Sequence, residues 1–406
     1  MAVGVEKYPS DWTTPQIFEV IRKAQLGGNY KNSEAESEFP LIKMGNLDRG
    51  QIKLNKLEYI DRQSRPSEAD RLNYGDLLFN TRNTLDLVGK VAIWRDEIDR
   101  AYFNSNIMRI KFNEKVGSDF FMNLIFNTTS FIRSLRDIAT GTTSVAAIYS
   151  KDLFKIQIQL PTKAEQLRIA EALETLFNAI QTLEKLIAKK RNIKQATMQQ
   201  LLTGKTRLPG FSGKWEEKSL GSIGETIIGL TYKPADVVSS GWLVLRSSNV
   251  QNMKLAFEDN VYVSCPIPDR IKIKRGDILI CVRNGSRDLI GKCALIPSDL
   301  HQTTFGAFMS VFRSQDPEFI FQQFQSDIIK KQIHEHLGAT INQITNKSLA
   351  SFQVPYPIDS EERAAISGVL SDLDKEINCL DEKLEKLKLL KQGMMQELLT
   401  GRIRLI

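Results

Sequence analysis

Met198-Gln199-Gln200-Leu201-Leu202-Thr203-Gly204-Lys205-Thr206-Arg207-Leu208 returns later in the chain as Met395-Gln396-Glu397-Leu398-Leu399-Thr400-Gly401-Arg402-Ile403-Arg404-Leu405, at an offset of 197. Working back from each copy, the repetition continues. Gly75-Asp76-Leu77-Leu78-Phe79 with Arg82-Asn83 matches Gly276-Asp277-Ile278-Leu279-Ile280 with Arg283-Asn284 at offset 201. Val88-Gly89-Lys90-Val91-Ala92 matches Ile290-Gly291-Lys292-Cys293-Ala294, Leu41-Ile42-Lys43 with Asn46 matches Val244-Leu245-Arg246 with Asn249, and Trp12 matches Trp215. The matches keep their order, so the chain is a duplication. Its organisation is globular, helical, globular, helical, with boundaries at 1–161, 162–206, 207–358 and 359–406.

The helical segments carry a narrow apolar seam. The first reads Ile169, Leu173, Leu176, Ile180, Leu183, Ile187, with alternating steps of four and three. The second reads Ile366, Leu370, Leu373, Ile377, Leu380, Leu384, Leu387, with Lys391 as its polar break, aligned with Lys194. Such heptads need a partner helix. Each helix is about 40 residues and about 60 Å long, and the nearest partner is the other copy. Connectivity makes that pairing antiparallel and predicts a pseudo-two-fold, quasi-circular chain. Thr162 with Glu165 forms a capping box, Asp359 or Ser360 caps the second helix, and Gly204 and Gly401 end the two. Short β-type runs broken by Gly, Asn and Asp fill 9–160 and 212–357, with helix-like stretches at Ser118 to Leu135 and Pro317 to His336. The expected fold class is α+β: two similar α/β domains separated by two long antiparallel coiled-coil helices.

Composition narrows the function. The 406 residues hold 55 basic and 48 acidic side chains, net +7, spread without a strongly basic block. A case for nucleic acid therefore rests on local placement. No apolar run is long enough for a membrane span, the N-terminus lacks a secretory core, and four scattered cysteines suit a cytoplasmic protein. Catalytic constellations are missing. Gly285 to Lys292 has five residues between its glycines, not the four of a phosphate loop, and Cys293 follows where Ser or Thr belongs. No Asn/Asp-Pro-Pro-Tyr/Phe tetrapeptide is present, Pro268-Asp269 lacks the acid-x-Lys of a nuclease, and three histidines without spacing make no metal site.

The duplicated Gly-Asp-Ile/Leu-Leu strands, the Arg-Asn and Val/Ile-Gly-Lys that follow, the Pro-led helix starts and the terminal Leu-Leu-Thr-Gly resemble, over nearly the whole chain, the specificity (S, HsdS) subunits of type I restriction–modification systems. The resemblance implies two target recognition domains, each reading one half of an asymmetric bipartite double-stranded DNA sequence. It implies helices that set the spacing and dock modification (methyltransferase) subunits, two of them, with restriction (translocase/nuclease) subunits joining through the complex. It implies no cofactor in this chain, S-adenosylmethionine, ATP and Mg²⁺ being used by partner subunits. One departure is Glu361-Glu362-Arg363, standing where the first copy has Glu165-Gln166.

Candidate DNA-contacting residues are polar groups at equivalent places: Lys43 and Arg246, Asn46 and Asn249, Arg82 and Arg283, Asn83 and Asn284, and Lys90 and Lys292. Arg suits guanine and Asn suits adenine in the major groove, and either binds phosphate. Thr142, Thr143, Thr340 and Asn342 offer small polar groups on Gly-containing loops. The Arg-Asn pairs have an alternative role, closing a turn and pairing with the nearby Asp. Trp12 and Trp215 read as core anchors. Two other functions fit the pattern less well: a coiled-coil scaffold with two peptide-binding domains, which salt-sensitive duplex binding would exclude, and a self-contained nuclease, which would cleave DNA alone with Mg²⁺.

Overall fold

The computed structural model describes residues 8–337 and 342–406. The chain divides into two compact units, Met1–Leu183 with Lys383–Ile406, and Glu184–Glu382. Division by element type separates strands from helices. Division by compactness instead falls midway along both long helices, so each unit holds the start of one helix and the end of the other.

In the first unit an antiparallel sheet runs Ile21–Leu26, Ile107–Phe112, Leu77–Asn80, Val91–Ile93. The strand at its heart is apolar at successive positions because both its faces are buried. Leu77 and Phe79 point into a core shared with the helices, while Leu78 points into a second core with Ile42, Trp94 and Phe103. This period-two split is the reason Gly-Asp-Leu-Leu-Phe reads as an unbroken hydrophobic run. A second sheet joins Asn32–Ser33, Glu58–Ile60, Pro40–Ile42 and Tyr102–Phe103, the last pair parallel.

The second unit repeats the plan. Gly224–Ile228, Met309–Ser314, Ile278–Cys281 and Cys293–Leu295 form the main sheet, and Val237–Val238, Val261–Val263, Trp242–Leu245 and Thr303–Phe305 the other. Ile278 and Ile280 face one core, Leu279 and Cys281 the opposite one.

Each late helix-like stretch holds two helices. Asp119–Phe126 is followed by Thr129–Ile138, and Pro317–Gln325 by Asp327–His336. At the first break the Asn127 amide turns back onto Asn123 O at 2.8 Å, and Thr128 Oγ1 accepts from Phe131 N to cap the next helix. At the second, Ser326 Oγ donates back to Gln323 O at 2.7 Å. Short polar side chains compete here with the helical ladder.

The long helices span Lys163–Leu201 and Ser360–Leu398. Within each unit their segments lie antiparallel. In the first, Ile169 and Leu173 share a core with Leu398 and Leu399, and Lys391 Nζ sits 5.0 Å from the Phe177 ring centroid. In the second, Ile366 and Leu370 share a core with Met198 and Leu201, and Lys190 pairs with Glu376 and Lys194 with Asp374 at 2.7 and 2.6 Å. All six seam residues of the first helix are buried, as are Ile366, Leu370, Ile377 and Leu384 of the second; Leu373, Leu380 and Leu387 are half-buried. Fully burying such a side chain is worth about 1.5–3 kcal/mol. The polar break thus has two solutions: Lys194 meets a carboxylate, Lys391 an aromatic face.

One device appears twice. Glu165 and Glu362, both fully buried at the helix starts, receive Arg404 and Arg207 through two hydrogen bonds each. Of the expected capping box the Thr162 half is present, Thr162 Oγ1 accepting from Glu165 N at 3.3 Å, while the Glu165 carboxylate reaches across 239 residues of sequence to Arg404. Glu361-Glu362-Arg363 is no loss of that architecture. Glu362 repeats Glu165, Asp359 caps the helix by accepting from Glu361 N, and Arg363 donates to Pro357 O as Gln166 donates to Pro161 O. Gly204 and Gly401 have φ of +69° and +71°. A Cβ at Gly401 would stand 2.5 Å from Pro9, and one at Gly204 3.2 Å from the Trp215 ring. The helix ends thus close onto Trp12 and Trp215, as core anchors require.

Candidate nucleic-acid interface

The main-sheet strands that follow Gly-Asp lead into the Arg-Asn pair in both units, and a later polar segment meets the pair there. In the first unit Arg82–Asn83 forms a short strand with Ala146–Ala147, which in turn pairs with Thr140–Gly141. This hairpin carries Thr142 and Thr143 at its exposed tip, and Leu85 N donates to Thr143 O at 3.1 Å. Arg82 is exposed. In the second unit Arg283 bridges Gln343, Asn284 N donates to Asn342 O at 3.4 Å, and Asn342 Nδ2 donates to Gly285 O at 3.0 Å. Residues far apart in sequence are thus brought together at matching places. Thr340 lies outside the described residues.

The asparagine of each Arg-Asn pair accepts from a backbone amide just ahead, and the Gly-Asp carboxylate is held by other residues. Asn83 Oδ1 accepts from Thr84 N at 2.8 Å and Asn284 Oδ1 from Ser286 N at 3.1 Å. Buried Asp76 and Asp277 are claimed instead by the neighbouring strand: Arg109 meets Asp76 at 3.0 Å, and Arg313 holds Asp277 through two bonds of 2.7 and 2.8 Å. The Asp277 hydrogen bonds raise the Arg313 pKa. Arg109 and Arg313 escaped the sequence reading; their signal was an arginine inside a largely buried strand.

Two candidates are corrected, and the basic residues beside them are ion-paired. Asn46 and Asn249 are 2% and 0% exposed, so neither amide can reach a base. The Asn46 carbonyl accepts from Lys43 N and its amide donates to Lys53 O; Asn249 accepts from Arg246 N and donates to Ala256 O. These asparagines replace backbone partners that a tight turn leaves unmet. Lys43 and Arg246 point at carboxylates, Glu58 at 2.9 Å and Asp259 at 2.8 Å. Each would have to surrender an ion pair to hold a phosphate. Two further basic residues, Arg270 and Lys272, are paired with Glu225 and Asp269.

Lys90 and Lys292 follow glycines whose role is packing. Gly89 and Gly291 have φ of +73° and +83°, and an added Cβ would collide with Leu135 at 2.9 Å and Ile333 at 2.5 Å. The glycine lets the hairpin lie on a helix and leaves the lysine at its rim. Lys90 lies 3.8 Å from Asp48, which also binds Lys53. Lys292 faces neutral acceptors, Ser247 O and Gln251 Oε1, at 3.4 and 3.5 Å.

Beside Arg283 stands a residue the sequence reading passed over. Phe308 is 57% exposed, and its ring centroid lies 4.9 Å from the Arg283 guanidinium carbon. Val282 N and Arg283 N donate to Phe308 O, each at 3.1 Å; in the first unit Thr81 N donates to Asn106 O at 3.0 Å. Asn106 and Phe308 are therefore equivalent positions carrying opposite chemistry.

The near-phosphate-loop Gly285 to Lys292 leads into the strand Cys293–Leu295, not a helix. Among the described residues no His, Cys, Asp and Glu cluster could hold a metal ion, and no helix is long and apolar enough to cross a membrane. Burial pushes the Cys293 thiol up to about 12, which leaves it an inert core group.

A family model described as type I restriction modification DNA specificity domain matches twice, over 9–193 and 213–389. The type I restriction enzyme MjaVIII specificity subunit of Methanocaldococcus jannaschii is 24% identical over 419 residues, covering 98% of this chain and 94% of its own. The EcoKI specificity subunit of Escherichia coli is 26% identical over 205 residues, 47% of this chain and 42% of its own. The crystal structure of a type I restriction–modification S subunit from M. genitalium covers 95% of this chain and 96% of its own, with a TM-score of 0.64 at 15% identity. The duplicated sheets, the paired helices and the twofold family match agree: this chain belongs to the type I restriction–modification specificity subunits, the non-catalytic components of those systems.

Proposed function

We propose that each unit reads one half of an asymmetric, bipartite double-stranded DNA sequence, through Arg82, Asn83, Thr142 and Thr143 in one half and Arg283, Asn284, Asn342 and Lys292 in the other. The target recognition domains are 1–161 and 207–358, and the helices 162–206 and 359–406 set the half-site spacing and dock modification subunits, two per chain. Restriction subunits join through that complex, and S-adenosylmethionine, ATP and Mg²⁺ serve the partners. The observation that carries the reading is the duplicated edge. In both units an exposed arginine stands beside an asparagine and a polar segment from a later part of the chain. Arginine there can donate in pairs to guanine, while backbone and amide groups position the duplex.

Selection of the full chain with its modification subunits on a randomised duplex library tests this. The expected result is two different short motifs at fixed separation. Arg283→Ala should alter one motif and leave the other unchanged. Enrichment of no sequence, or equal change in both motifs, overturns the proposal. One heptad inserted into each long helix lengthens it by about 10 Å. At roughly 3.4 Å per base pair that should widen the separation by about three base pairs.

A further inference from the structure

We infer that Phe308 is a specificity-determining residue of the second unit: it reads the C5-methyl of a thymine next to a guanine bound by Arg283. The inference rests on the reading of these units as DNA-recognition domains. It begins from an anomaly, a large aromatic that is 57% exposed at the end of a sheet whose own aromatic, Phe312, is fully buried. Its backbone is fixed, since Phe308 O accepts from two successive amides of the Arg283 strand. Its ring lies against the guanidinium, 4.9 Å from carbon to centroid.

That contact matters for the arginine. A cation over a ring face is held by the quadrupole while its N–H edges stay free. The Arg283 fork is thereby oriented before binding and keeps the donors that a guanine edge requires. The geometry also says where the ring must go. When the guanidinium lies in the plane of a guanine, a group stacked on it occupies the neighbouring base-pair layer, about 3.4 Å away. An apolar edge in that layer of the major groove has one apolar feature to meet, the thymine methyl. In the first unit the equivalent position is Asn106, beside Arg82. An amide there satisfies hydrogen-bonding base edges instead, so the two half-sites differ at the step beside the guanine.

The test uses the full chain with its modification subunits. The duplex first selected from the random library is remade with deoxyuridine for each thymine of the second half-site in turn, which deletes only the methyl group. Wild type should lose about fourfold in affinity at one position adjacent to guanine, the worth of one buried methyl, and nothing elsewhere. Phe308→Ala should bind the thymine and uracil duplexes equally, Phe308→Leu should keep part of the difference, and Asn106→Phe should create a thymine preference in the other half-site. Sensitivity to no methyl, or a methyl effect that survives Phe308→Ala, overturns the inference while the two-motif selection still stands. Failure to select any motif removes the underlying reading instead.

Discussion

Replacing Arg207 by Leu should strongly destabilise the second unit. The Glu362 carboxylate has no exposed surface. It accepts from Arg207 Nε and Nη2 at 2.5 and 2.6 Å and from Trp215 Nε1 at 3.2 Å. Removing the guanidinium leaves one neutral donor for a buried anion. Breaking a buried pair from one side costs about 3–5 kcal/mol. Arg207 keeps 27% of its side chain exposed, so water can partly enter, and the lower end, about 3 kcal/mol, applies. That is a large share of a typical stability of about 5–15 kcal/mol. Hydrogen exchange on the full chain resolves it by segment. Amides of 184–201 and 360–382 should exchange about 100-fold faster, the equivalent of that free energy, while those of 8–183 serve as an internal reference. Adding Glu362→Leu should recover most of the loss, because an apolar pair of similar volume avoids burying any charge. A single variant less than about tenfold faster, or a double variant no slower than the single, would refute the argument that the carboxylate depends on its partner.

Other outcomes follow from the same geometry. Gly401→Ala must place a Cβ 2.5 Å from Pro9 at φ +71°, so its cost exceeds the about 1–2 kcal/mol of left-handed backbone alone. Gly204→Ala, with 3.2 Å to Trp215, should cost less, and thermal unfolding ranks the two. Burial pushes the Glu97 carboxyl up, so its ionised form weakens the first unit at neutral pH. Because the folded pKa lies above the unfolded one, the unit regains that stability as pH falls through the folded value, fully so below the unfolded value of about 4.3. Glu97→Gln should therefore raise Tm at pH 7 and lose its advantage in acid; an advantage that persists there would contradict the assignment. Arg82→Ala should cost about 1–3 kcal/mol of discrimination at one base pair of the first half-site, measured by competition between duplexes. A uniform loss across sequences, with a shallower salt dependence, would place Arg82 on phosphate instead.

Sequence alone determined the duplication, the heptad seam and the strands that cross each core, because each is written in a local period or in ordered repetition. It also paired Arg82 with Arg283 as equivalent positions of the two copies. It could not separate a reading residue from a turn residue. Lys43 and Asn46 look like Arg82 and Asn83 in the chain, yet Asn46 is spent on carbonyls seven and nine residues ahead and Lys43 on Glu58. Nor could it show that Asp277 belongs to Arg313, that Glu165 waits for Arg404, or that Phe308 stands uncovered beside Arg283. A side chain's role is set by which groups the fold brings within about 3 Å of it and by whether water can still reach it. Those are properties of non-local packing, and periodicity carries no record of them.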